Sequence, residues 1–377
     1  MVALMIITTL SFCFCLLIYG IYIWAVVWGE HYQPDDELRS FVPLSVVIPA
    51  RNEEKVIGKK IENLARIDYP NELLQVVVVD DASNDRTAEL AEQALKDYGL
   101  NGLVLVNQQR MGTNYNYNEG FKHVVHDLVI TTDADVCLAE DALKKIIAVL
   151  QNDPKVGAVC GELVPIIEAR SLSAGVEKPY RDIYGKICAW ESRLHSTYCF
   201  NGPFIALRKQ AYSPMHPEKG ASDANIALAA IRNGYQAKYV HSARFYEWIP
   251  INLSQQKRQK IRRAARLLES TWLGRDLLWN KRVGLFGKIV LPLRMAMLFL
   301  VPSLCLLSLI LGGVLVYRVC GLFPFSLYLL GAGMVMTLGS YRTNLISSFL
   351  WHQYYLFNGL INMIKPMHVW ESIDRVS

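Results

Sequence analysis

This sequence of 377 residues is short of charge, of paired cysteines and of glycine fingerprints. Met1 to Trp28 contains no charged side chain. A cleaved leader would show a basic start and a shorter apolar core, so the stretch reads as an uncleaved membrane anchor, residues 1–28. Trp24 and Trp28 lie toward its far end, where an aromatic belt sits. The 8 cysteines lack paired metal-ligand spacing, which leaves a reduced, cytosol-facing domain with buried thiols as the expectation. No G-x-G-x-x-G follows the first expected strand, Leu44–Ile48, which disfavours a nicotinamide-dependent enzyme. Charged residues make up 19% against 52% hydrophobic, and mean hydropathy is +0.19. That balance suits one soluble domain plus membrane segments. The net charge of +5 is modest, and nucleic acid is not among the expected partners.

What is present is organised around Leu128-Val129-Ile130-Thr131-Thr132-Asp133-Ala134-Asp135. A short apolar run bounded by polar residues reads as a buried strand. Alternation along extended backbone sends Asp133 and Asp135 to the same side. Two hard oxygen donors there suit a divalent cation holding phosphates, whereas the bland reading is a turn. Further strands are expected at Leu44–Ile48, Gln75–Val79 and Leu103–Val106, with helices at Glu54–Ala65, Arg86–Tyr98 and Ala139–Leu150. Such alternation predicts an α/β fold with a mainly parallel sheet and helices on both faces. Ligands of such sheets bind beyond the carboxyl ends of the strands, where Arg51-Asn52-Glu53, Asp80-Asp81 and Asp133-Ala134-Asp135 all fall.

Residues 160–250 are less regular. Tyr180–Ser196 is expected to be helical, and Cys199-Phe200-Asn201-Gly202-Pro203 to turn into a strand, Phe204–Leu207. Ser222-Asp223 before an Ala- and Ile-rich run is an N-cap pattern, so the bland role of Asp223 is that cap. Asn252–Leu273 reads as a basic amphipathic helix ended by Gly274. Its Lys257, Arg258, Lys260, Arg262, Arg263 and Arg266 suit anionic headgroups or a phosphate clamp. Met295–Tyr317 and Leu322–Leu338 read as two spans within 289–339, with Arg294 snorkelling to the interface. Arg275, Lys281, Arg282 and Lys288 place that side in the cytoplasm. Asn344–Ile364, within 341–377, reads as a third span or an interfacial helix before a cytoplasmic tail.

Over residues 44–266 the chain resembles a membrane-anchored family 2 glycosyltransferase with a GT-A catalytic domain, here bounded as 41–274. The resemblance rests on P-x-x-N-E at Pro49-Ala50-Arg51-Asn52-Glu53 and V-D-D-x-S-x-D-x-T at Val79 to Thr87. It continues in D-x-D at Asp133-Ala134-Asp135, an acidic motif at Ser222-Asp223, and Q-x-x-R-W at Gln259-Lys260-Ile261-Arg262-Arg263. Three positions depart from the family pattern. Thr113 replaces a basic residue in Gly112 to Gly120, Ser222 replaces an acid, and Arg263 replaces the tryptophan. The last two weaken the analogy with processive polysaccharide synthases.

The resemblance implies a nucleotide-sugar donor, most often a uridine diphosphate sugar. It implies that Pro49, Ala50, Asn52 and Glu53 belong to the donor site and that Asp81 hydrogen-bonds the base. Asp133 would contact ribose or metal, and Asp135 would ligate Mn²⁺ or Mg²⁺ bridging the diphosphate. Gln259, Arg262 and Arg263 would join the catalytic set, the arginines as a second clamp. Asp223 would act as the base of an inverting displacement. The membrane segments suggest a lipid-linked or glycan acceptor and contact with membrane lipids, at a cell membrane with the catalytic domain facing the cytoplasm. The competing readings are a membrane-tethered nucleotide-sugar binding protein without turnover and a processive polysaccharide synthase.

Overall fold

The computed structural model describes residues 1–166, 174–248, 253–341 and 345–364. Asn252, Asn344 and the expected tail beyond residue 364 lie outside the described residues. After α1 (Val2–Val27), the chain alternates β1 (Leu44–Ala50), α2 (Ile57–Arg66), β2 (Leu74–Asp80), α3 (Thr87–Asp97) and β3 (Asn101–Val106). Then come α4 (Thr113–Lys122), β4 (Leu128–Thr132), β5 (Val136–Leu138), α5 (Ala142–Asn152) and β6 (Val156–Ile166). The second half holds α6 (Ala174–Leu194), β7 (Phe204–Arg208), α7 (Ser222–Arg232), β8 (Gln236–Trp248) and α8 (Leu253–Leu273).

The strands form a sheet of order β3-β2-β1-β4-β7-β6-β8-β5. β1 runs parallel to β2 and β4, β2 to β3, and β6 to β8. β7 is antiparallel to both of its neighbours, and β5 is antiparallel to β8. The expected parallel half is therefore present, and a mixed half is added to it. Alternation along β1 explains the two cores. Val46 and Ile48 face Ile57, Ile61 and Leu64 of α2, whereas Val47 faces Tyr117 and Phe121 of α4.

The strand order also forces curvature. β4 and β5 stand four places apart in the sheet, yet three residues join them. A flat sheet would separate them by about 19 Å, and the connection reaches about 14 Å at most. The sheet must curl until its β5 edge returns to the end of β4, with Asp133-Ala134-Asp135 at the seam. Breaks in the β6–β8 register near Val156 and Cys160 fit that bend.

The C-terminal part contains a continuous helix α9 (Phe286–Cys320), then α10 (Leu322–Tyr341) and α11 (Leu345–Ile364). Among the described residues two helices, α1 and α9, are long and apolar enough to cross a membrane, and α10 is apolar over Leu322–Val335. α9 starts earlier than the expected Met295. It includes wide turns at Phe286–Val290 and Ala296–Leu300, just before Pro292 and Pro302, which lack the amide of a regular turn. Arg294 does not snorkel. It is buried, with Nε 2.5 Å from Glu191 Oε1 and Nη2 3.0 Å from Oε2, because α6 supplies a carboxylate. α11 packs on α8, where a methyl group at Gly359 would come 3.1 Å from Ala264 Cβ. Its Gln353 donates to Tyr19 of α1 at 2.6 Å. All eight cysteines are free, and Cys137 is exposed rather than buried.

Candidate active site

The first two sequence motifs are stapled together. The amide of Asn52 donates to Ser83 Oγ at 2.9 Å, and that of Asn84 donates back to Asn52 Oδ1 at 2.9 Å. The Glu53 amide donates to Thr87 Oγ1 at 2.8 Å. Arg51 donates to the carbonyls of Asp81 and Ala82. Asn52 and Ala82 both take the left-handed backbone region, at φ 53° and 55°. The cross-links hold two tight turns side by side at the ends of β1 and β2, beside Pro49 and Ala50. Asp80 accepts from the amide and hydroxyl of Ser83, and Asp85 accepts from the Thr87 amide before α3.

Asp81 sits beneath the next loop. Its carboxylate accepts from the amides of Met111 (2.7 Å) and Gly112 (3.0 Å) and from Asn107 Nδ2 (3.1 Å). Asn107 also donates to Asn116 Oδ1 at 2.7 Å. The asparagines of α4 continue this pattern. Asn114 Nδ2 lies 3.0, 3.1 and 3.2 Å from the carbonyls of His216, Lys219 and Gly220. Asn118 donates to the Met215 carbonyl at 2.7 Å and accepts from the Met215 amide at 2.8 Å. Of this helix only the Thr113 position stood out in the sequence. The recurrence of asparagine at every second position was the available signal.

Sheet register assembles the acidic centre. Thr132 pairs with Phe204, so the turn ending at Pro203 lies beside Asp133. Within that turn, a methyl group at Gly202 would come 3.3 Å from Asp223 Oδ2. On the other side of the seam Val136 pairs with Glu247, and Glu247 Oε1 lies 3.2 Å from Arg263 Nη2. Asp133, Asp135, Asp223, Glu247 and Arg263 are thus gathered around one place. Asp133 and Asp135 are half-buried and Ala134 between them is buried, as alternation requires. Tyr117, fully buried on α4, donates to Asp133 Oδ1 at 3.2 Å. Tyr117 and Glu247 had no signal in the sequence beyond their types. Gln259 and Arg262 lie half-buried on α8.

Asp223 is not the N-cap of α7. Ala221 holds that position and Asp223 lies in the first turn, accepting from the Ala224 amide at 2.8 Å. The amides ahead of the helix are met from α8, Gly220 by Glu269 and Ala221 by Ser270, each at 2.9 Å. The cap pattern fails because α8 supplies the partners from a distant part of the chain.

Burial pushes the Asp223 carboxyl up to about 6, opposed by the Ala224 amide and the Arg263 charge. Burial, then the charges of Asp135 and Glu247, push Asp133 up to about 7. Two crowded carboxylates with hard oxygens are a fit for a divalent cation, which would relieve their repulsion. Among the described residues no group of three His, Cys, Asp or Glu could hold a metal by itself. A cation here would need further oxygens from outside the protein side chains. The basic face of α8 is divided among several partners. Lys257 lies 4.8 Å from the Tyr354 ring centre, Lys260 5.9 Å from that of Tyr355, and Arg266 donates to the Glu218 carbonyl.

Residues 45–212 match the model of the family described as Glycosyl transferase family 2. The chain is 30% identical over 139 residues to the probable glycosyltransferase YdaM of Bacillus subtilis, covering 36% of this chain and 33% of that protein. It is 25% identical over 236 residues to a poly-beta-1,6-N-acetyl-D-glucosamine synthase of Staphylococcus aureus, covering 61% and 56%. It is 33% identical over 144 residues to a beta-monoglucosyldiacylglycerol synthase of a Nostoc species, covering 37% and 30%. The chain therefore spans less than two thirds of each of these relatives. In fold it matches a mannosyltransferase of Pyrobaculum calidifontis solved in complex with GDP-Man and Mn²⁺, at a TM-score of 0.78 and 22% identity. That likeness covers 96% of this chain and 97% of the other.

Proposed function

Residues 45–212 are a family 2 glycosyltransferase domain within a GT-A fold, and from that premise we propose that the chain transfers one sugar from a nucleotide-sugar donor to a membrane-associated acceptor. The observation that supports this reading is the β4–β7 register, Thr132 opposite Phe204, which lays the turn at Gly202, close to the Asp223 carboxylate, beside the end of β4 that leads into Asp133 and Asp135. The stapled turns at Pro49, Ala50, Asn52 and Glu53 and the loop over Asp81 would take the nucleoside. Asp133 and Asp135 would hold Mn²⁺ or Mg²⁺ together with the diphosphate. The bound cation would offset the charge that develops on the departing diphosphate. The fold neighbour was solved with GDP-Man and Mn²⁺, which supports this class of donor and cofactor.

Asp223 would accept the acceptor's proton as that hydroxyl oxygen attacks the anomeric carbon. The new glycosidic bond forms while the bond to the diphosphate oxygen breaks, and in-line attack inverts the centre. The Asp223 carboxyl, held up to about 6, is ionised at neutral pH and still basic enough for the task. Arg263, paired to Glu247, and Arg262 would stabilise charge on the donor side, with Gln259 nearby on the same helix.

A lipid-borne acceptor is supported by the helices flanking the site. α8 packs against α11, and α1 and α9 are each long enough to span a bilayer. Arg275, Lys281 and Arg282 ahead of α9 and Lys288 in its first turn support a cytoplasmic catalytic domain at the cell membrane. The test is a panel of labelled nucleotide sugars, uridine- and guanosine-linked, incubated with membranes holding the chain and a lipid extract. Label passing into the lipid fraction, dependent on divalent cation, is the expected result. Binding of donor without consumption would favour a sugar-nucleotide binding protein instead.

A further inference from the structure

α2 buries Ile57, Ile61 and Leu64, and Lys60 lies on that same apolar face, only 2% exposed. A charge there carries a desolvation cost that leucine or methionine would avoid. Among the described residues Lys60 makes no ion pair within 4.0 Å. Its ammonium instead donates to Thr132 Oγ1 at 2.8 Å and to the Val136 carbonyl at 3.1 Å. Thr132 is the last residue of β4 and Val136 the first of β5. One ammonium therefore ties both ends of the Asp133-Ala134-Asp135 connection.

A second side chain of the same helix extends the clasp. Asn63 Nδ2 donates to the Leu138 carbonyl at 3.0 Å, and the Leu138 amide donates to Asn63 Oδ1 at 2.8 Å. β5 is an edge strand, paired with β8 on one side. α2 thus satisfies backbone groups on its open side, and it does so immediately after the two aspartates. An apolar side chain at position 60 could fill the space but could not hold both ends of the connection.

We infer that Lys60 is a positioning residue for the paired aspartates, fixing their connection so that both carboxylates stand ready for a cation–diphosphate unit. This rests on the metal reading of Asp133 and Asp135. Groups behind a metal site that orient its ligands commonly account for about 10–100-fold in metal affinity. The same scale is expected here.

The test uses the full chain in detergent and titrates UDP and GDP with and without Mn²⁺, following binding by calorimetry and by the Mn²⁺ paramagnetic resonance signal. Lys60→Met is expected to keep or raise the unfolding temperature while weakening Mn²⁺-dependent nucleotide binding by about 10–100-fold. Thr132→Val removes one acceptor of the ammonium and should weaken binding in the same direction. In the double variant the two losses should not add, since both act through one contact. Should Lys60→Met fail to fold, Thr132→Val alone carries the test. Unchanged Mn²⁺-dependent affinity in the folded variants would overturn the Lys60 role and leave the metal reading standing. Wild-type nucleotide binding indifferent to Mn²⁺ and to chelator would overturn both.

Discussion

Arg294 and Glu191 form a buried, two-pronged ion pair between α9 and α6, and Tyr22 of α1 packs over the guanidinium at 5.5 Å. Glu191 also accepts from Thr197 Oγ1 at 2.6 Å, which ties the pair to the segment leading into Gly202 and Asp223. The long apolar helices α1 and α9 and the turn beside Asp223 therefore share one polar joint. Breaking a buried pair from one side leaves an unpaired charge, a loss of about 3–5 kcal/mol. Arg294→Met is expected to lower the unfolding temperature sharply, and adding Glu191→Leu to recover much of the loss. Thermal unfolding of the three proteins in one detergent checks this. A double variant no better than Arg294→Met would refute it.

Gly120, near the end of α4, has no room for a side chain. A methyl group there would come 2.4 Å from Val47 Cγ1, so the helix lies directly on β1. Gly120→Ala should cost about 1–3 kcal/mol through overpacking. Val47→Ala on the same background should restore part of it, because the clash is with that side chain. Failure of the second change to help would place the strain elsewhere.

These two cases mark how far the sequence could be read. β1, β2 and β4 are legible because each is a short apolar run stopping at polar residues, and their ends locate the site. β6 and β8 escape because their pairing, not their own period, makes them strands. β8 runs through Lys238, His241, Arg244 and Glu247, and its register with β6 is broken. Arg294 precedes an apolar run and so reads locally as an interface residue, whereas its partner lies 103 residues away. The cap expected of Asp223 fails for the same reason, since Glu269 and Ser270 are contributed by α8. What depends on contacts between distant segments was not legible.

Arg263 replaces an aromatic residue of the family pattern, and its charge is one of the influences holding Asp223 down against burial. Removing it should raise the Asp223 carboxyl further. The proposed transfer uses the ionised carboxylate, so the acid limb of the pH–rate profile should move to higher pH in Arg263→Met. The wild-type limb is expected near 6. A limb that stays in place, or moves to lower pH, would disconnect Arg263 from the base.

The most direct measurement is single-turnover sugar transfer by Asp223→Asn at saturating donor, beside nucleotide binding and thermal unfolding of the same preparation. Ala221, not Asp223, caps α7, so the substitution leaves the helix start intact. It removes proton acceptance and keeps the side chain's shape. General base catalysis contributes about 10²–10⁴-fold, and the account predicts a fall in transfer of that size with donor affinity and unfolding temperature unchanged. Transfer at the wild-type rate would contradict it and remove Asp223 from the mechanism.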